Sequence, residues 1–475
     1  MISASVPAQW DDLPGLEING GVRERLHEQL DVWLDLLEEE MEGKEGKLDE
    51  LVRAIFEACH ELTGLVAESL VEKLHSKELE QTEMVCPKCG RVLTARDEVE
   101  RTVETMVGEV KLKRPYFWCK KCSEGFYPLD EALNLSGRKK QWDIQKAAAS
   151  LAAEVPYEKA EELFKELTGL SMSDHTMHEV VGDICDDFDV LDVAPSAEEV
   201  EQKIREVGVG KKWRPIMVLA TDGAHVPTRP DMAKGKRKGR KKVRAKRANW
   251  EGEWKEAKGF RFYLVDGDRI EHILSWHQVQ TNKELKESLK KVKAAGLIPE
   301  EEIRLCVIAD GARWIWKVAK ELYPEAVEVL DYYHLSEHLH KLAEAQYGHD
   351  PERAQEWIEA ALTRLFSGEA YGVIWGLERM KPRSAEAKSE IDSLIGYLKE
   401  NKDRVDYKFY RNGGYPVGSG GIESSNKTIC HVRLKRSGAW WYVEKANQML
   451  ALRCAKYNGT FQKLFLQYMG KFRHT

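Results

Sequence analysis

The chain has 475 residues, of which 42% are hydrophobic and 32% are charged. At roughly 100–200 residues per domain this length predicts about two to four domains, and the composition supports a core and excludes wholesale disorder. No apolar run approaches the roughly 18 residues of a membrane helix, and no basic region precedes an apolar run at the start. We therefore expect a cytoplasmic protein with no membrane partner.

The net charge of −7 is unevenly distributed. Residues 1–83 carry 21 acidic and 7 basic side chains, whereas residues 401–475 carry 14 basic and 4 acidic ones. In 234–247, ten of fourteen residues are Lys or Arg and none is acidic. Such regions bind polyanions, although a solvated surface loop is the alternative for the basic segment. The candidate phosphate contacts there are Lys234, Lys236, Arg237, Lys238, Arg240, Lys241 and Lys242.

The first half of the chain is predicted to contain three regions in order. Residues 1–83 form an acidic helical region, because apolar side chains recur at helical spacing. Residues 84–130 hold four cysteines around a predicted hairpin that turns at Gly108. Residues 136–190 show a helix, a turn at Gly169 and a further capped helix, which is typical of a helix-turn-helix that binds DNA.

From about Glu206 the hydrophobic period changes to that of strands. Residues 206–334 are predicted as three strands, a helix, a strand, a helix and a strand. Residues 335–414 are predicted to be a helical insertion, 415–460 to return to the core, and 461–475 to form a tail. This order predicts a ribonuclease-H-like α/β core with a large helical insertion.

Four cysteines form two pairs, Cys86 with Cys89 and Cys119 with Cys122. Each Cys-x-x-Cys turn supplies two converging sulfurs, and zinc takes four thiolates in a tetrahedron. A redox role would need a single pair beside a βαβ unit, whereas here two pairs flank a hairpin. The pattern therefore predicts a structural Zn²⁺ site in a zinc ribbon.

Three carboxylates are placed where phosphoryl-transfer chemistry needs them. Asp222 and Asp310 each follow an apolar strand and precede a glycine, and Glu423 follows a glycine-rich segment. Three such carboxylates can hold two Mg²⁺ or Mn²⁺ ions about 3.5–4 Å apart for in-line displacement at phosphorus. Asp-Gly is also a common turn, and Asp266–Gly267 is predicted to be one, in a hairpin.

At these residues the chain resembles a known family. The stretches 220–223, 308–312 and 420–427 resemble the three acidic blocks of DDE transposases, and 331–334 looks like the Asp-x-x-His signature of their Mutator-like branch. With the cysteine pairs and the segment 433–441, the chain looks most like bacterial insertion-sequence transposases of the Kra type. The resemblance covers roughly residues 84–460. It implies a ribonuclease-H-like core, Mg²⁺ dependence, and cutting and joining of DNA at element ends.

Two further groups of residues have open roles. Asp331 and His334 could position DNA or a metal-bound water, or His334 could cap or pack the helix that begins there. In the segment 433–441, which lies before the C-terminal tail, aromatic and basic side chains could stack on bases and contact phosphates. Core packing is the alternative for a tryptophan. The tail candidates are Arg433, Lys435, Arg436 and Trp441.

The leading hypothesis is therefore a transposase that binds double-stranded DNA, both its own terminal inverted repeats and the target, as a homodimer or higher oligomer. One alternative is a domesticated, non-catalytic DNA-binding regulator. A strand-cleavage assay with Mg²⁺ would distinguish this regulator from a transposase. Another is a ribonuclease-H-like nuclease without strand transfer, which pre-cut ends with a free 3′-hydroxyl would separate.

Deleting residues 234–247 is expected to weaken DNA binding broadly and to leave sequence preference nearly unchanged, because phosphate contacts carry little base information. Each phosphate contact contributes about −0.9 to the slope of log affinity against log salt, so half of the cations engaging would change the slope by roughly four units. Cleavage should fall with affinity. Unchanged salt slopes would show that the segment is a solvated loop.

Overall fold

The computed structural model describes residues 20–43, 46–230 and 251–471. The chain divides into two compact units, one of Met1–Val180 with Gln467–Thr475 and one of Val181–Leu466. The basic segment 234–247, with its candidate phosphate contacts, lies outside the described residues.

The first unit combines helices with a four-stranded antiparallel sheet of order β1-β2-β3-β4. Its strands are β1 (Glu83–Val85), β2 (Val92–Thr105), β3 (Gly108–Cys119) and β4 (Glu124–Phe126). The helices before this sheet in the sequence are α1 (Gly20–Met41), α2 (Leu48–Leu74) and α3 (Ser76–Leu79). The helices that follow it are α4 (Pro128–Ala132), α5 (Trp142–Glu154), α6 (Tyr157–Thr168) and α7 (Asp174–Ile184).

The hairpin predicted around Gly108 is confirmed. β2 and β3 pair from Ala95–Phe117 to Thr105–Gly108, and Gly108 has φ +116°, a conformation that favours glycine. A side chain at this position would also collide with the backbone of His60. The turn therefore needs glycine for both its backbone conformation and its close approach to α2.

The three helices predicted between 136 and 190 are present as α5, α6 and α7. Gly169 ends α6 in the left-handed conformation, with φ +69°. Ser173 precedes α7, and its Oγ accepts a hydrogen bond from the Thr176 backbone amide at 3.2 Å. A glycine stop followed by a serine cap fixes the short connection between these helices.

The second unit is built on a five-stranded sheet of order β7-β6-β5-β8-β9. The strands are β5 (Ile216–Thr228), β6 (Glu253–Asp266), β7 (Arg269–Val279), β8 (Arg304–Ala309) and β9 (Val327–Leu330). β5, β6 and β7 are antiparallel neighbours, whereas β8 runs parallel to β5 and β9 parallel to β8. The element order is the one that the sequence predicts, including the hairpin turn at Asp266–Gly267.

Helices pack against this sheet and fill the region after β9. The helices are α8 (Ala197–Gly208), α9 (Asn282–Ala294), α10 (Arg313–Leu322), α11 (Tyr332–Tyr347), α12 (Pro351–Phe366), α13 (Ala370–Glu378), α14 (Ala385–Glu400), α15 (Tyr407–Asn412), α16 (Gly420–Ser425), α17 (Val432–Leu434), α18 (Val443–Tyr457) and α19 (Phe461–Lys471), with a 3₁₀ turn at Lys402–Arg404 and a π-helix at Asn426–His431. α8 and α9 contact β6, and α18 contacts β7. Residues 216–221 of β5 and 305–309 of β8 are all buried, as expected for central strands covered on both faces.

The expectation that Asp222 ends its strand is wrong. β5 pairs with β6 as far as Thr228, whereas its parallel pairing with β8 stops at Ala220. Asp222 therefore lies within β5, at the point where β8 no longer pairs with it. An antiparallel neighbour extends the strand, and a local sequence pattern does not reveal that neighbour.

Within the described residues, no helix has the length and apolar character that a membrane crossing requires.

Candidate functional site

An acidic cavity of about 210 Å³ lies in the second unit. The carboxylates in its wall come from β5, from the residues that follow β8 and β9, and from α11 and α16. These carboxylates are Asp222, Asp310, Asp331, Glu337 and Glu423. Among the described residues that line the cavity none is a Lys or Arg, so these residues concentrate negative charge.

Asp222 is held by two hydrogen bonds. Its Oδ1 accepts from the Gly223 backbone amide at 2.7 Å, and its Oδ2 accepts from Asn426 Nδ2 at 2.7 Å. Burial raises the pKa of Asp222 to about 6, and the negative charges of Asp310 and Asp331 act in the same direction. This pKa shows that the ionised carboxylate is under-compensated, a condition that a divalent cation would relieve.

Asp310 directly follows β8, as the sequence predicts. Its Oδ1 accepts from the Ala312 backbone amide at 2.9 Å, and Tyr397 donates its hydroxyl to the Asp310 carbonyl at 2.7 Å. Gly311 has φ +93°, and a Cβ there would lie 2.8 Å from the Tyr397 ring. The glycine after the acid therefore allows α14 to close against the end of β8.

Asp331 and His334 take different positions at the start of α11. Asp331 caps the helix, because its Oδ1 accepts from the Tyr333 backbone amide at 2.8 Å and its Oδ2 accepts from the Ser419 hydroxyl. His334 lines the cavity, and its Nδ1 lies 3.6 Å from Glu337 Oε2. The capping residue is thus Asp331, and the imidazole faces the acidic cavity.

Glu423 is carried by α16, and three strands contribute polar contacts to this helix and the residue after it. From β6, Arg261 Nη1 donates to the Gly421 carbonyl. From β7, His277 Nε2 lies 3.2 Å from Ser425 Oγ, and from β5, Asp222 accepts from Asn426. We call Arg261, His277 and Asn426 the clamp residues.

The clamp residues are buried, and two of them, Arg261 and His277, lie outside every motif that the sequence shows. Ser425 Oγ donates to the Ile422 carbonyl at 2.8 Å, so His277 Nε2 donates to Ser425. Burial lowers the pKa of His277 to about 3, which keeps the imidazole neutral. The sequence feature that relates to His277 is the glycine at position 259. Gly259 lies between Asp222 and His277 in the sheet, and a Cβ added there would collide with the His277 ring.

In the first unit the four predicted zinc ligands come together. The Cys86 and Cys122 sulfurs are 3.9 Å apart and those of Cys89 and Cys119 are 3.6 Å apart, and all four lie within 4.8 Å of one another. Four sulfurs at ~2.3 Å from a tetrahedral zinc would be separated by about 3.8 Å. The four cysteines can therefore hold a metal ion such as zinc with little rearrangement.

The thiols of Cys119 and Cys122 differ in acidity, because burial raises the pKa of Cys122 to about 12 whereas the pKa of Cys119 is lowered. A hydrogen bond from the Cys122 backbone amide lowers the pKa of Cys119 to about 7, because it stabilises the thiolate.

The carboxylates of the acidic cavity are not as closely spaced as the four cysteine sulfurs. Within the described ranges no three ligand atoms of its carboxylates lie within 4.8 Å of one another.

The tail candidates divide by exposure. Lys435 and Arg436 are exposed, whereas Arg433 is 3% exposed and lies over the ring of Trp441. Trp441 is half-buried, its indole Nε1 donates to the Leu434 carbonyl at 3.2 Å, and its backbone pairs with the end of β5. Trp441 therefore has the packed surroundings that the core-packing alternative to base stacking describes.

The chain belongs to the uncharacterised protein family UPF0236, which matches residues 43–465. No curated protein matches the chain. Among solved structures the chain is similar to the Drosophila P element transposase strand transfer complex, with 12% sequence identity, 70% of this chain and 80% of that chain covered, and a TM-score of 0.24. A likeness with this TM-score carries no argument about the fold or function of the chain.

Replacing Cys86 and Cys119 together with serine is expected to abolish zinc binding and to unfold residues 84–130, because so small a region derives folding energy from its metal. Elemental analysis and hydrogen exchange would measure the two effects. The second unit should stay protected. Cys59→Ser, outside the cluster, is the matched control and should retain zinc. Freshly purified protein without zinc would contradict the assignment.

Proposed function

We propose that the chain is a DDE-type DNA transposase of the kind encoded by bacterial insertion sequences. It would bind the ends of its element and catalyse metal-dependent cleavage and strand transfer. The acidic cavity, with carboxylates on separate elements of the sheet and its helices, is the observation that carries the proposal.

The sheet topology supports this assignment. Three antiparallel strands followed by two parallel ones, in the order β7-β6-β5-β8-β9, support the assignment to a ribonuclease-H-like core. Asp222 on the central strand and Asp310 after its parallel neighbour lie at the edge where ligands gather in α/β sheets. In this proposal the helices after β9 would be the insertion between the second and third acids of the transposase motif.

The cavity suits a hard divalent cation. Its donors include five carboxylates, the described part of its wall has no Lys or Arg, and Asp222 has a raised pKa that cation binding would reverse. Asp222, Asp310 and Glu423 would hold Mg²⁺ or Mn²⁺. The bound ions would supply charge neutralisation at the attacking and leaving oxygens of the phosphodiester.

The protein side chains would orient this chemistry. Asn426 and the Gly223 amide fix the Asp222 carboxylate, and Asp331 fixes the start of α11 against Ser419. His334, in the cavity wall, would hold or move a proton near the reacting phosphate. The clamp residues would keep Glu423 in reach of the two aspartates.

DNA binding would be distributed over several parts of the chain. The cysteine cluster would form a zinc ribbon, and α5 to α7 a helix-turn-helix, which together would read the terminal inverted repeats. The exposed Lys435 and Arg436 would contact phosphates. Target DNA and a second copy of the chain would complete the active assembly.

Asp222→Asn, Asp310→Asn and Glu423→Gln are each expected to lower cleavage of end-containing DNA by roughly 100-fold or more, because each change removes a charge and preserves shape. Cleavage of labelled duplexes with Mg²⁺ or Mn²⁺ would measure the loss. Binding of the same duplexes should persist, since none of the three side chains needs to contact DNA bases.

Asp266→Asn is the matched control, because Asp266–Gly267 has the same dipeptide in a hairpin turn. This variant should cleave as the unmodified protein does. Full cleavage by any of the three variants would remove that residue from the site. Joining of pre-cut ends to a target would favour transposition, and hydrolysis alone would favour a nuclease. DNA binding without either reaction would favour a regulator.

A further inference from the structure

Two tryptophans and a lysine form an exposed aromatic cluster beyond the acidic cavity. The rings of Trp254 on β6 and Trp440 are 6.2 Å apart in an edge-to-face arrangement, and Lys435 Nζ lies 5.6 Å from the centre of the Trp254 ring. Trp254 is 50% exposed, a large fraction for this residue type. We call these three residues the aromatic platform.

The platform is fixed from below. The Trp440 ring lies against Gly252, where any Cβ would collide with it. The next residue, Trp441, exchanges backbone hydrogen bonds with the end of β5, where its carbonyl accepts from Arg229 at 2.9 Å and its amide donates to Pro227 at 3.1 Å. The half-exposed Trp254 ring packs edge to face on the supported Trp440 ring, and such a contact restricts its orientation and lowers the entropic cost of binding a ligand.

Other exposed tryptophans lack this arrangement. Trp213 is 67% exposed with Lys212 over its ring, and Trp375 is 56% exposed with Arg379 over its ring. Among the described residues, neither has a ring contact with a second tryptophan. A cation beside an exposed ring is thus common on this surface, whereas the paired rings are particular to the platform.

The location of the platform relates it to the acidic cavity. Trp254 pairs with Pro227, which is five positions beyond Asp222 on β5 and therefore roughly 17 Å along the strand. Arg436 is exposed next to Lys435, and the basic sequence 234–247 lies between β5 and β6 in the chain. Cationic groups with an aromatic face suit a strand that offers phosphates and unpaired bases.

We propose that the aromatic platform binds unpaired bases of the DNA strand that flanks the cleavage point, with a base stacking on Trp254 and a phosphate near Lys435. The inference rests on the proposed function and adds the strand state that the site recognises. Stacking on an aromatic side chain is tolerant of sequence, because every base has a π-face. The platform would therefore hold opened DNA irrespective of its sequence.

The test compares three DNA ligands by fluorescence anisotropy with the full chain. They are a blunt duplex, the same duplex with a short oligothymidine tail, and the duplex with an abasic tail of equal length. The abasic tail keeps every phosphate and removes the bases. The unmodified protein should bind the thymidine tail roughly tenfold more tightly than the abasic tail.

Trp254→Ala should lose that preference and keep its affinity for the blunt duplex, Trp254→Phe should retain part of the preference, and Trp213→Ala should behave as the unmodified protein. Two results would overturn the inference about the platform and leave the proposed function standing. One is a preference for the thymidine tail that survives in Trp254→Ala, and the other is an unmodified protein that binds the blunt duplex without that preference. Absence of binding to all three ligands would overturn the proposed function as well. A Trp254→Ala variant that changes oligomeric state while keeping the preference would assign the platform to a protein partner.

Discussion

Carboxylates that share one cavity, with no Lys or Arg among the described lining residues, impose the main constraint on the second unit. Asp222 is mostly buried, and the charges of Asp310 and Asp331 add to the cost of ionising it, so its pKa rises to about 6. Like charges in a site of low polarity are stabilised only by hydrogen bonds or by a cation. Two donors serve Asp222, and a cation in the cavity would supply the remaining compensation.

Holding Glu423 at this cavity requires contacts from residues distant in sequence. Arg261 on β6 and His277 on β7 contact α16. Asn426, the first residue of the π-helix that continues α16, contacts Asp222 on β5. Asn426 is 4% exposed, and its Oδ1 has no hydrogen-bond partner within the described part of the chain. π-Helical turns often occur at functional sites, and here the turn gives Asn426 its contact with Asp222. The geometry of the acidic cavity therefore depends on neutral and cationic side chains that do not line it.

Local patterns predicted what depends on local chemistry. The Cys86 and Cys119 pairs, the Gly108 hairpin, the α6 stop at Gly169 and the strand before Asp310 all follow from short-range rules. The extension of β5 past Asp222 depends on pairing with β6, more than twenty residues away, which no periodicity encodes. Arg261 and His277 were missed for the same reason, since a histidine or arginine within an apolar strand shows no sign of its long-range partner.

The central claim is that the acidic cavity binds catalytic divalent cations, and titration of the zinc-loaded chain with Mn²⁺, followed by electron paramagnetic resonance, tests it most directly. The account predicts saturable Mn²⁺ binding that Asp222→Asn weakens by at least roughly tenfold and that Mg²⁺ displaces. The control Asp266→Asn should bind Mn²⁺ as the unmodified protein does. No saturable binding, or equal binding by Asp222→Asn and the unmodified protein, would contradict the account.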